Sequence, residues 1–319
     1  AFLDLSSNVA MQPFKMMVGD MVNDDQKSYA YGIQSFLSNT GAVLAAIFPF
    51  LFTWFGVKNI APKGVVPDSV KVAFYVGAAL LVVTSLFTVF RVHEYDPATY
   101  AKYHGITEED NKEGGNWFTL LKTAPKAFWT VTLVQFFCWF AFQYLWTYSA
   151  GAIAKNVWDT TNATSAGYQA AGNWYGVLAA VQSIAAVVWS YVLAKVPNKY
   201  HKLGYAGSLL LGAFGFVSVF FIHDQWTLII SYILVGIAWA GMNTYPLTIV
   251  TNALSGKHMG TYLGLFNGSI CLPQIVASLL SFALFPLFGH SQVNMFILGG
   301  IVLALGALSV GTIKETYAE

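Results

Sequence analysis

Charge is scarce in this chain. Of 319 residues, 10 % are Asp, Glu, Lys or Arg, against about 25 % in an ordinary soluble domain. A water-soluble chain of this length could not cover its surface with so few ions. The formal net charge is +1, which leaves no electrostatic footprint for a nucleic acid. Cysteine is also scarce. Cys138 and Cys271 both fall inside apolar runs and read as small buried side chains, not as a disulfide framework or metal ligands. No HExxH, CxxC, phosphate loop or GxSxG occurs, and the segment "SGKHMG" lacks the upstream glycine spacing of a P-loop. The histidines at 93, 104, 201, 223, 258 and 290 sit at expected loops or helix ends, with no pair at metal-ligand spacing. The chain reads as no enzyme, with no cofactor and no metal.

Apolar residues are abundant instead: 56 % of the chain, 16 % aromatic, with a mean hydropathy of +0.56. Runs of about 20 apolar residues mark membrane-spanning helices. Nine are expected, at about 1–19, 28–56, 70–91, 127–151, 169–195, 203–222, 226–250, 259–286 and 292–313. The breaks carry Gly, Pro, Asn or charge, as in "PNKYHK" at 197–202. One break, 93–116, is longer and polar, and it leaves three helices before it and six after. With that loop placed in the cytoplasm, Lys58, Lys63, Lys71 and Lys155 fall on the far side and the other 12 of the 16 Lys and Arg on the near side. That asymmetry satisfies the positive-inside rule and puts the carboxyl terminus in the cytoplasm.

Three helices, a cytoplasmic loop and six more become symmetric if three helices precede Ala1. Two six-helix halves form the major facilitator plan. The expected class is an all-α polytopic membrane protein with nine of twelve helices present. Residues 1–92 would be the remnant of the first bundle (helices 4–6), 93–126 the central loop, and 127–319 the second bundle (helices 7–12). The chain opens on Ala1 inside a helical pattern, so it reads as a fragment.

Polar groups inside spanning helices are costly and mark function. In "AFLDLSSNVAMQPFKMMVGD", Asp4, Asn8 and Gln12 recur every four residues and Lys15 follows, placing a carboxylate, two amides and an ammonium on one face. Asp4 is either a static partner for a neighbouring cation or a carboxyl that gains and loses a proton. Lys15 either snorkels to the interface or gates, and Asp20 is a gate or loop charge. On the next helix, Gln34 and Asn39 are further ligand candidates. In 127–151, Gln135, Trp139, Gln143 and Trp146 recur at three and four. Amides beside flat rings suit sugars, whose hydroxyls need hydrogen bonds; the alternative is helix packing with an interfacial aromatic belt. "GMNTYPLT" brings Asn243, Tyr245 and Pro246, and Pro246 frees the carbonyl of Met242. In "HMGTYLGLFNGSICLPQIV", Asn267 and Gln274 suit a polar wall and Pro273 a flexible point. Gly260, Gly264 and Gly268 form a ridge that would admit a close helix neighbour.

"LDLSSNVAMQPFKMMVGDM", "VQFFCWFAFQY" and "HMGTYLGLFNGSICLPQIV" resemble the fourth, seventh and eleventh helices of the glycoside–pentoside–hexuronide symporters, in their sucrose transporter-like branch, with the nearer resemblance to bacterial relatives. The resemblance implies proton-coupled uptake of a disaccharide of the sucrose or maltose type by alternating access. Asp4 would be the protonation site, supported by Asn8 and Gln12, with the proton as the coupling ion. Lys15 stands where the family shows Arg, and a lone ammonium cannot make the bidentate pair that Arg makes. The expected partners are a sugar and the lipid bilayer, for a monomer in the cell (inner) membrane. The alternatives are a Na⁺-coupled sugar symporter and a non-transporting membrane sugar sensor.

Overall fold

The computed structural model describes residues 14, 17, 21–22, 24–58, 66, 68–93, 95–96, 98–99, 102, 117–197, 200–254 and 259–313. Nine α-helices and no strand occur among them. We label them α1 (Asp24–Trp54), α2 (Asp68–Arg91), α3 (Trp117–Thr123), α4 (Lys126–Trp158), α5 (Ala166–Leu193), α6 (His201–Ser218), α7 (Leu228–Ala253), α8 (Met259–Leu287) and α9 (Gln292–Ser309). Single 3₁₀ turns prolong α6 over Val219–Phe221 and α9 over Val310–Thr312.

Seven of these helices, α2 and α4 to α9, are long and apolar enough to cross a bilayer. A helix satisfies its own backbone polar groups, which hydrocarbon cannot do for it, so apolar runs of this length fold this way in lipid. The expected span at 1–19 lies outside the described residues. The span expected at 28–56 is helical as α1, and among the described residues its apolar stretch covers Phe36–Ala45. The short helix α3 was not foreseen within the central loop. It is fastened to α8 by the Tyr262 hydroxyl, which donates to the carbonyl of Leu120 at 3.2 Å.

Helix α4 is the spine of the second half. It packs against α9, α8, α5 and α7, while α6 fills the space between α7 and α9. Its inward side carries Val131, Val134, Cys138, Ala141, Phe142, Leu145 and Ile153, all fully buried. It runs to Trp158, past the expected end at 151, and stops where Asp159 takes the left-handed conformation with φ 45°. Ser165 then caps α5 by accepting from the amide of Tyr168, and Ser291 caps α9 through Asn294. Helix α1 packs chiefly on α5 and touches α7, and α2 rests on α1.

The closest helix approaches lie elsewhere than the glycine ridge of α8. A Cβ at Gly264 or Gly268 would meet nothing within 4 Å among the described residues, so the expected tight seam there is not observed. The backbones of α5 and α7 come together instead at Gly236, where a Cβ would run into the carbonyl of Gln182.

Candidate functional site

One hollow opens inside the second half, between α4, α7 and α8. Its wall is Gln135 and Trp139 from α4, Met242, Asn243, Pro246 and Leu247 from α7, and Leu263, Phe266, Asn267 and Ile270 from α8. It holds about 490 Å³ of empty space, its open mouth included. None of these ten side chains carries a charge.

The polar groups of the wall are held by the backbone peculiarities of α7. Pro246 has no N–H, so the carbonyl of Met242 loses its helical donor. Gln135, 3 % exposed, fills the gap: its Nε2 donates to that carbonyl at 2.9 Å. Its Oε1 is buried with no partner among the described residues. One turn further along α4, the Nε1–H of Trp139 is also buried without a partner among the described residues. The Asn243 amide donates to the carbonyl of Trp239 at 2.8 Å, which steadies the side chain on its own helix. Buried polar atoms in native proteins nearly always find a partner, and these two unpartnered atoms, an acceptor and a donor, lie on one wall that faces open space.

An aromatic shell backs this wall. The ring of Trp239 lies 5.7 Å from that of Trp139, 6.0 Å from Trp146 and 5.1 Å from Phe142. Trp139 and Trp146 are 6.2 Å apart. The Nε1 of Trp239 donates to Oδ1 of Asn39 on α1 at 3.2 Å, a polar link between the two sides of the long loop.

The structure therefore brings together Gln135, Trp139, Asn243, Asn267 and Pro246, with Asn39 one layer behind through Trp239. Other candidates stand apart from the hollow. Gln143 donates to Thr147 of its own helix at 3.5 Å. Tyr245 is buried on another face of α7, its ring 4.9 Å from that of His201 and 5.9 Å from that of Tyr205. Gln274 and Pro273 lie further along α8 and are not part of the lining. Gln34 is half-buried, with Nε2 lacking a partner among the described residues. Asp4, Asn8, Gln12, Lys15 and Asp20 lie outside the described residues. Sequence reasoning missed Trp239. Its signal was present, four residues before Asn243 and so on the same helical face.

Among the described residues, no group of three or more His, Cys, Asp and Glu could hold a metal ion. Cys138 and Cys271 are not joined in a disulfide, and Cys138 is fully buried.

Two comparisons bear on this arrangement. The chain is 20 % identical over 334 residues to Sucrose transport protein SUC4 of Arabidopsis thaliana, an alignment covering 96 % of this chain and 65 % of that protein. The chain thus spans about 65 % of that relative's length. A family model described as Major Facilitator Superfamily matches residues 1–278. With most of its length matched and its apolar helices gathered round a polar hollow, this multi-pass membrane protein belongs to the Major Facilitator Superfamily.

Proposed function

We propose that the chain forms the sugar-recognising part of a proton-coupled disaccharide symporter working by alternating access. The observation that carries this reading is the uncharged hollow between α4, α7 and α8, where buried amide and indole groups have no partner among the described residues and lie beside a cluster of edge-on and tilted aromatic rings. A neutral polyol meets those needs: its hydroxyls donate and accept, and its C–H faces lie against rings. The relative's name, a sucrose transport protein, supports a disaccharide of that type.

The coupling group in this reading is Asp4, with Asn8 and Gln12 beside it and Lys15 and Asp20 toward a gate. These roles rest on the family resemblance. Protonation from outside removes the charge that would hinder turnover of the loaded carrier, and proton release inside resets it. Residues 1–92 serve one half and 127–319 the other, joined by 93–126, in a monomer of the cell membrane with a cytoplasmic carboxyl terminus.

The test is uptake of labelled sucrose, maltose and trehalose into proteoliposomes, with and without a pH gradient and with external Na⁺ replaced by choline. Accumulation that follows the pH gradient and ignores Na⁺ is expected. In Asp4→Asn, exchange of sugar for sugar should survive while accumulation is lost. Accumulation that tracks Na⁺ would favour a sodium symporter, and binding without flux a sensor.

A further inference from the structure

Three features of the hollow fit into one device. Pro246 leaves the Met242 carbonyl without its helical donor. A carbonyl can only accept, so the Gln135 amide must present its NH₂ to it, as the 2.9 Å bond records. That contact decides which end of the amide is left for a ligand. Gln135 is 3 % exposed and its Oε1 has no partner among the described residues. The other orphan of the wall, Trp139 Nε1, is a donor that cannot accept.

We propose that Pro246 locks the Gln135 amide through the Met242 carbonyl, so that Gln135 and Trp139 read a neutral ligand hydroxyl, or two adjacent ones, by one acceptor and one donor. The inference rests on the sugar-transport reading and names how that site chooses. An anionic oxygen could accept from Trp139 but would oppose the Gln135 oxygen. An ammonium could donate to Gln135 but would oppose the indole N–H. A hydroxyl satisfies both. Were residue 246 able to donate, the Met242 carbonyl would be satisfied within α7 and the Gln135 amide could turn to suit either ligand type. Pro246 is in this sense a positioning residue and Gln135 a specificity-determining one.

The experiment is competition of sucrose and its monodeoxy and monodeoxyfluoro derivatives against labelled sucrose, with the protein in nanodiscs. Fluorine in place of a hydroxyl still accepts weakly but cannot donate. For the parent protein, fluorine at one ring position should weaken binding by roughly tenfold or more, the scale of a buried acceptor left unmet. In Pro246→Ala the fluoro-to-hydroxyl ratio at that position should fall toward one, because the freed amide can offer its NH₂. In Gln135→Met the ratio should collapse likewise. The ratio is the informative readout: general damage to the fold weakens both ligands alike and leaves it unmoved. If Pro246→Ala does not fold, Gln135→Met reads the same quantity. A parent protein that shows no such position, or a Gln135→Met ratio within about twofold of the parent's, overturns the inference while leaving sugar transport standing. Failure of sucrose, maltose and trehalose alike to bind would remove the transport reading, and this inference with it.

Discussion

Helices α2 and α4 show how differently two spanning segments can use apolar residues. Helix α2 is the more apolar, yet its most apolar stretch is 0 % buried within the protein; the corresponding stretch of α4 is 56 % buried. In water the greasier helix would be the buried one. In a membrane protein hydropathy alone does not decide burial: α9 is as apolar as α2, yet its stretch is 50 % buried, and α4, which mixes Gln135, Trp139 and small residues with its apolar ones, lies inside. Phe87 and Phe90 of α2 stand exposed, whereas Phe128 and Phe142 of α4 are buried against aromatic neighbours.

That contrast sets the order of expected mutational effects. The largest is steric. Gly236→Leu on α7 should abolish well-folded protein, because its side chain meets the Gln182 carbonyl and a backbone cannot step aside. Val83→Leu on α2 should change stability by less than about 0.5 kcal/mol. Thermal unfolding and monodispersity in detergent compare the two. Next is Gln135→Leu, which strands the Met242 carbonyl and should cost about 1–3 kcal/mol, read in the same melts. Trp239→Phe keeps the ring against Trp139 and Phe142 but removes the donor to Asn39. It should cost about 1 kcal/mol, and Asn39→Ala in the Trp239→Phe background should add less than it does alone.

The smallest effect is acid loosening at the start of α7. The backbone and side-chain donors of Thr227 hold the Asp224 carboxyl below its ordinary value. A carboxyl lowered in the folded state contributes stability that is present above its unfolded value of about 3.9, and that is lost as pH falls through the lower folded value. Melting measured from pH 6 down to pH 3 should show a drop at the acid end that Asp224→Asn flattens.

Much of the membrane plan was legible, because about 20 apolar residues between polar breaks admit few alternatives. Expected and observed helices agree to within a few residues for α5, α6, α8 and α9. The site was partly legible, and for a geometric reason. Helical spacing places Asn243 with Pro246, and Gln135 with Trp139, on shared faces. Tyr245, two positions from Asn243, points away round the helix, where it meets His201. Gln143 lies two turns along from Gln135, about 12 Å by helical rise, beyond the hollow. The glycines of α8 signalled permission for a close neighbour, but among the described residues Gly264 and Gly268 have none, and α5 meets α7 at Gly236. No single-helix pattern could show that Trp239 of α7 would close the ring round Trp139 and reach Asn39, since that needs three helices in place.

The central claim is that α4, α7 and α8 turn their polar groups toward one water-reachable hollow that holds sugar. Single cysteines at 139, 243 and 267, introduced with Cys138 and Cys271 replaced by Ala, test it by their reaction with a membrane-impermeant thiol reagent. All three should label in the full protein, sucrose should slow each at least about fivefold, and a cysteine at 245 should stay unreactive. Equal labelling with and without sugar, or rapid labelling at 245 alone, would contradict the account.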